Sequence, residues 1–267
     1  MTFTMPQTAQ EFVIMAVPFI TLLLGLAFLV VPGRVFHYMG LRPLADKPEA
    51  VGEGRSSFAG PLIAVALSCL LLQQPSLYFL LALSWTLAAL GRIFQMLFDG
   101  AAMRKRIHLR FLIAAVLAGL AWYTTETPGF TCFEVGLVNC HAPVTLYEWA
   151  VLLVALLTLA LGLIALLLPS IALRILRLES RIAHRFGRGE PRGTLAGFYT
   201  ALGATVLLMP QPADFVVLTL AGAWLLTGAG RAISMIVDRG FTPYNVSGTL
   251  FELAIGAALL AMMFGYL

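Results

Sequence analysis

Two stretches of the chain set an arginine and an aspartate seven residues apart within apolar sequence: Gly91-Arg92 followed by Asp99, and Gly230-Arg231 followed by Asp238. On a helix this spacing puts both side chains on one face, two turns or ~10 Å apart, too far for a direct pair. With the aspartates at the membrane boundary, each arginine lies about two turns inside it. An ionised side chain at that depth is costly, so it faces the interior of a bundle, paired or lining a wet cavity. The aspartates end their helices, where the macrodipole disfavours negative charge, so each calls for a basic partner.

Few acids lie at a matching depth. Glu252 sits just over one turn into the last apolar block, and Glu190 with Arg192 opens another from the same end. The spacing predicts an Arg231–Glu252 pair with Glu190 nearby. In the first half Leu112 stands where the second half has Glu252, which leaves Arg92 with Glu53. Arg92, Glu53, Arg55, Arg110 and Gln95 are therefore the candidate site for an anion such as a lipid phosphate or a carboxylate. Arg231, Glu252, Glu190, Arg192, Asp99 and Asp238 read as a structural polar network. The plainer alternative is that Arg92 snorkels, or pairs with Glu53, only to lock helices together.

Other chemistry is poorly supplied. The four histidines fall in loops or at helix ends, with no pair facing across helices, which argues against haem or a metal centre. Ser84, Ser234 and Thr227 have no histidine base at their depth, and hydroxyls in such helices usually bond their own backbone. The glycines lie inside helices, so no phosphate-binding loop is present. No catalytic residue, metal or cofactor is expected. Asn245 reads as the cap of the last helix.

The elements that must hold these residues are membrane helices. The chain has 267 residues, 60% hydrophobic and 11% charged, and a mean hydropathy of +0.91, a composition that excludes a soluble domain. Eight apolar blocks approach the ~20-residue length that crosses a bilayer core: 12–32, 56–73, 77–98, 109–124, 147–169, 193–209, 214–237 and 247–266. The first lacks a basic leader and a cleavage motif and is expected to remain as a helix. All seventeen lysines and arginines fall on one side of this arrangement. The other side carries Glu11, Glu126, Glu134, Glu148 and Asp214. Positive-inside bias predicts a multi-pass protein of the bacterial inner membrane with both termini extracytoplasmic. The pI of about 9.2 follows from that bias and is no argument for nucleic acid. Cys132 and Cys140, with seven residues between them in the outer loop, are a candidate disulfide on an oxidising face.

The chain also repeats itself. Gly25, Pro32, Glu53, Arg55 and Gly60 recur 137 positions later as Gly162, Pro169, Glu190, Arg192 and Gly197. Trp85, Arg92 and Asp99 recur 139 positions later as Trp224, Arg231 and Asp238. We therefore expect an all-α membrane protein of eight transmembrane helices, built as two parallel-repeat four-helix bundles. Residues 1–124 form the first, 125–146 a linker loop and 147–267 the second. A small-residue stripe, Ser56, Gly60 and Ala64, matched by Gly193, Gly197 and Ala201, reads as a packing face.

The run Gly230-Arg-Ala-Ile-Ser-Met-Ile-Val-Asp-Arg-Gly240, preceded by Glu190-x-Arg192 and followed by Glu252, resembles a bacterial family, a domain of unknown function. That domain has four membrane helices and a GR-x-x-S-x-x-x-D-G signature. The first half resembles a degenerate copy, with Gln95 for Ser234 and Leu112 for Glu252. The resemblance implies a fold and no activity. Parallel duplication favours a binder or transporter of a small amphipathic anion or lipid at the repeat interface. A membrane enzyme using Glu53, Glu190 or Glu252, and an accessory subunit of a complex or homo-oligomer, are the alternatives. The expected partners are the lipid bilayer and an anionic lipid or small amphipathic ligand.

Overall fold

The computed structural model describes residues 8–47, 49–99, 105–125, 143–180, 189–208 and 214–266. Cys132 and Cys140 lie outside these residues. The first long helix, α1 (Ala9–Val30), is capped by the Thr8 side chain, which accepts from the Glu11 backbone N–H at 3.1 Å. Pro32 starts the short α2 (Pro32–Met39), and Gly40 ends it in the left-handed region at φ 75°, where a Cβ would be strained. Strand β1 (Leu41–Pro43) leads to α3 (Ala50–Leu72), α4 (Pro75–Phe98) and α5 (Lys105–Thr124). The second half runs α6 (Leu146–Leu167), α7 (Pro169–Ile175), β2 (Leu178–Ser180), a π-helical turn (Pro191–Leu195), α8 (Ala196–Leu208), α9 (Asp214–Val237) and α10 (Pro243–Met263). A capping box between Thr145 and Glu148 starts α6.

Six of these helices are long and apolar enough to cross a membrane: α1, α3, α4, α6, α9 and α10. Eight spans were expected. Among the described side chains the apolar part of α5 covers Ile107–Tyr123, within a helix of 20 residues. Helix α8 has 13 residues and continues the π-helical turn without a break, so the helical run covers 189–208.

The helices group crosswise between the halves. Helix α3 packs on α1 and, most extensively, on α9, which also carries α10. Helix α4 packs on α5 and α8, and α8 on α6. Consecutive partners α3 and α4, or α8 and α9, touch far less. The two groups are thus α1, α3, α9 and α10 in one, and α4, α5, α6 and α8 in the other. Neither corresponds to the expected bundles of 1–124 and 147–267. Small residues set the crossings, as the stripe predicted. A Cβ on Gly60 would meet the Thr227 backbone N at 2.8 Å and Ala223 O at 3.0 Å, and one on Gly197 would meet Ser84 O and Ala88 N, each at 2.7 Å. Only glycine lets these backbones approach so closely.

Contacts recur at positions 137 and 139 apart. Trp85 Nε1 donates to Thr21 Oγ1 at 3.0 Å, and Trp224 Nε1 to Thr158 Oγ1 at 3.1 Å. The strands pair antiparallel with Arg42 opposite Glu179 and Leu41 opposite Ser180. Most positions of α3, α4 and α9 are buried, whereas α1, α6 and α10 expose apolar side chains along most of their length. That is the surface a lipid bilayer covers.

Candidate functional site

The charged residues inside the fold form two clusters at the same end of the helices, each built from both halves. In the first, Arg231 near the end of α9 reaches Glu53 at the start of α3 and Glu252 early in α10. Its Nε donates to Glu252 Oε2 at 3.0 Å and its Nη2 to Glu252 Oε1 at 2.6 Å. Nη2 also donates to Glu53 Oε2 at 3.0 Å, and Nη1 donates to Glu53 Oε1 and, at 3.3 Å, to Asn245 Oδ1. Arg231, Glu53 and Glu252 are all buried. Two helix turns beyond Arg231, Asp238 takes Arg55 at 2.9 Å and the Ser234 hydroxyl at 2.5 Å. Arg55 further donates to the Leu29 carbonyl at 2.7 Å, satisfying an orphan acceptor at the end of α1.

The second cluster is centred on Glu190, which is buried at 1% exposure and accepts from Arg92 at 2.6 Å and Arg110 at 2.5 Å. Arg92 also donates to the Gly189 carbonyl at 2.8 Å and the Thr194 hydroxyl at 3.4 Å. Arg110 donates to the Tyr38 carbonyl at 2.6 Å, with its guanidinium over the Tyr38 ring. Arg192 lies 3.4 Å from Asp99. Burial by itself pushes the Glu190 carboxyl up, but the two guanidiniums outweigh it and hold the group below the ordinary carboxylate range.

Arg231 pairs with Glu252 as the spacing predicts, but the remaining acids are exchanged. Glu190 belongs to Arg92, and Glu53 belongs to Arg231. The expected Arg92–Glu53 pair does not form, because α3 lies against α9 and α8 against α4. The five residues read as an anion site are divided: Glu53 and Arg55 stand with the α9 cluster, Arg92 and Arg110 with Glu190, and Gln95 is buried against Gly189. Asn245 does not cap α10; Thr242 does, and the Asn245 amide donates to the Gly240 carbonyl at 2.8 Å.

Beside the α9 cluster is a feature the sequence reading missed, a cavity of about 540 Å3. Its polar end is Arg231, Glu53 and Glu252, and its walls include Leu161, Ile164, Tyr199, Trp224 and Phe251. It lies between α6 and α10, which touch only sparsely. Phe28, Phe36 and Phe58 form an aromatic cluster with centroids 4.7–6.4 Å apart, whereas the residues 137 positions later are Ala165, Leu173 and Leu195. Leu161, Ile164, Leu195 and Trp224 are ordinary apolar residues of helices one at a time, so no sequence signal singles the cavity out.

Fold and clusters together define a multi-span helical membrane protein with buried ion pairs. Residues 146–263 match the family model of a domain of unknown function, DUF4345. The matched segment runs from α6 through α10, the half that carries the intact Gly230–Gly240 run. No curated protein matches the chain, and no solved structure does.

Proposed function

We propose that the protein binds a small amphipathic molecule or lipid in the cavity between α6 and α10, its polar end at the Arg231 cluster. The observation that carries this reading is the shape and chemistry of the cavity: a volume in the range of small-molecule sites, apolar walls and a few convergent polar groups at one end. The site moves from Arg92 to Arg231 in this reading. Around Arg92 the arginines already have a carboxylate, two carbonyls and a hydroxyl as partners.

In the same reading the halves are tandem copies of one four-helix unit, exchanged crosswise. The recurrence of the Trp–Thr bonds and of the Glu–Arg pairs at matching offsets supports this. The protein resides in a bacterial inner membrane with its basic helix ends in the cytoplasm, as the placement of its lysines and arginines favours.

Native mass spectrometry of the full chain in mild detergent tests the binding reading. Wild type should carry an amphiphile-sized adduct that Leu161→Trp, which fills the apolar end, removes while the fold persists. An adduct indifferent to Leu161→Trp, or a bare chain even after incubation with bacterial lipid extract, would defeat it.

A further inference from the structure

We propose that the cavity selects a monocationic amphiphile, such as an alkylammonium, and takes it up in exchange for one proton held by the Glu53–Glu252 pair. This rests on the reading of the cavity as a ligand site and names the chemistry of its ligand.

The donor inventory comes first. A guanidinium has five N–H groups, and all five of Arg231 are taken up by Glu53, Glu252 and Asn245. An anionic head group entering the cavity would meet two carboxylates and no available Arg231 donor. The carboxylates, by contrast, keep acceptor positions beyond those filled by Arg231 and, at Glu53, by Tyr244.

Charge points the same way. The cluster holds two carboxylates against one guanidinium, one negative charge in excess when both acids are ionised. The other charged groups packed near it cancel among themselves: Arg55 pairs with Asp238, and Arg177, which lies over the Tyr244 ring, pairs with Glu49. The remaining groups facing the carboxylates are neutral: Ser57 on α3, Tyr199 on α8, and Tyr244 and Asn245 on α10. An uncompensated charge is not sustained in a water-poor interior, so the excess is neutralised by a proton or by a cation. Only one of these is needed at a time, which is the condition for exchange.

Aromatic walls complete the match. Trp224, Tyr199, Tyr244 and Phe251 line the cavity, and Trp224 and Phe251 meet edge to face at 6.1 Å. Ring faces attract a cation and accept an alkyl chain equally well. The other cluster has the opposite balance, two guanidiniums against Glu190.

The exchange balances in charge and atoms. One O–H bond on a glutamic acid breaks, its proton passes to water, and the ammonium takes its place against the carboxylate.

Titration calorimetry of the full chain in an uncharged detergent provides the test, with octylammonium and octanoate as probes matched in length. Octylammonium should bind at least 10-fold more tightly, and more tightly as pH rises, because fewer protons compete. Repeating the titration in two buffers of different ionisation enthalpy should show about one proton released per cation. Glu252→Gln and, independently, Glu53→Gln leave one acid against Arg231, and each should abolish both the preference and the proton release. Octanoate binding as tightly as octylammonium, with both blocked by Leu161→Trp, would leave the cavity reading standing and overturn the cation. Octylammonium bound without proton release would overturn the exchange. Neither probe binding in a Leu161→Trp-sensitive way would overturn the cavity reading itself.

Discussion

Glu190→Gln and Glu252→Gln are chemically the same change, yet they should have very different consequences. Among the described residues, Glu190 is the one counter-charge paired with Arg92 and Arg110. Without its charge, the buried guanidinium of Arg92 and the half-buried one of Arg110, which shared one carboxylate, face each other. Two unit charges ~5 Å apart at an effective dielectric of ~20 repel by about 3 kcal/mol. Stranding a buried charge by removing its partner is measured at about 3–5 kcal/mol in other proteins. Glu252→Gln acts on a cluster with the opposite surplus and leaves Arg231 paired with Glu53, which is neutral. Its cost reduces to one weakened hydrogen bond, about 1 kcal/mol. At roughly 2–4 °C per kcal/mol for a chain of this size, Glu190→Gln should lower the Tm by about 6–12 °C and Glu252→Gln by no more than about 4 °C. Cys69 is fully buried, so a thiol-reactive dye reports unfolding in a background carrying Cys132→Ser and Cys140→Ser. Equal losses, or a larger loss from Glu252→Gln, would show that charge count does not govern these clusters.

Further outcomes can be stated briefly. A Cβ on Gly91 would overlap the Arg192 carbonyl, so Gly91→Val should force α4 away from the π-helical turn and cost more than about 3 kcal/mol by overpacking, read as loss of monodisperse protein on size exclusion. Because the Glu190 carboxyl lies below its ordinary value of 4.5, the stability it contributes is complete above about pH 4.5 and disappears only as pH falls through the lower folded value. The Tm difference between wild type and Glu190→Gln should therefore stay level down to that pH and shrink below it. A periplasm-dependent phosphatase fused to the C-terminus should be active in a bacterial host, and one fused after Arg239 should be silent.

That the ionisable residues gather toward one end of the helices was legible in the sequence, because position along a helix fixes height along its axis. Partner choice was not. Glu53 and Glu190 stand at the same height by the repeat, so either could face Arg92 or Arg231, and only the lateral order of helices decides. The Arg231–Glu252 pair was readable because α9 and α10 are consecutive and joined by a short turn, which makes them neighbours. Of the eight apolar blocks, six correspond to helices long and apolar enough to cross a membrane among the described residues, and those at α5 and α8 border residues outside them. The cavity was hidden for another reason: an empty space is a property of several side chains at once, and Leu161, Ile164 and Leu195 are unremarkable one at a time.

The crosswise grouping has a consequence for how the chain is made. Helices leave the ribosome in order, so α3 and α4 enter the membrane long before α8 and α9, the helices that cover them. Until then α3 presents Glu53 and Arg55 to lipid with no partner from the second half, a state that is costly at membrane depth. Early helices in this position must wait beside the insertion machinery, sheltered from lipid, until α9 arrives. A chain halted after α5 therefore holds four long helices and the short α2, and neither group is complete.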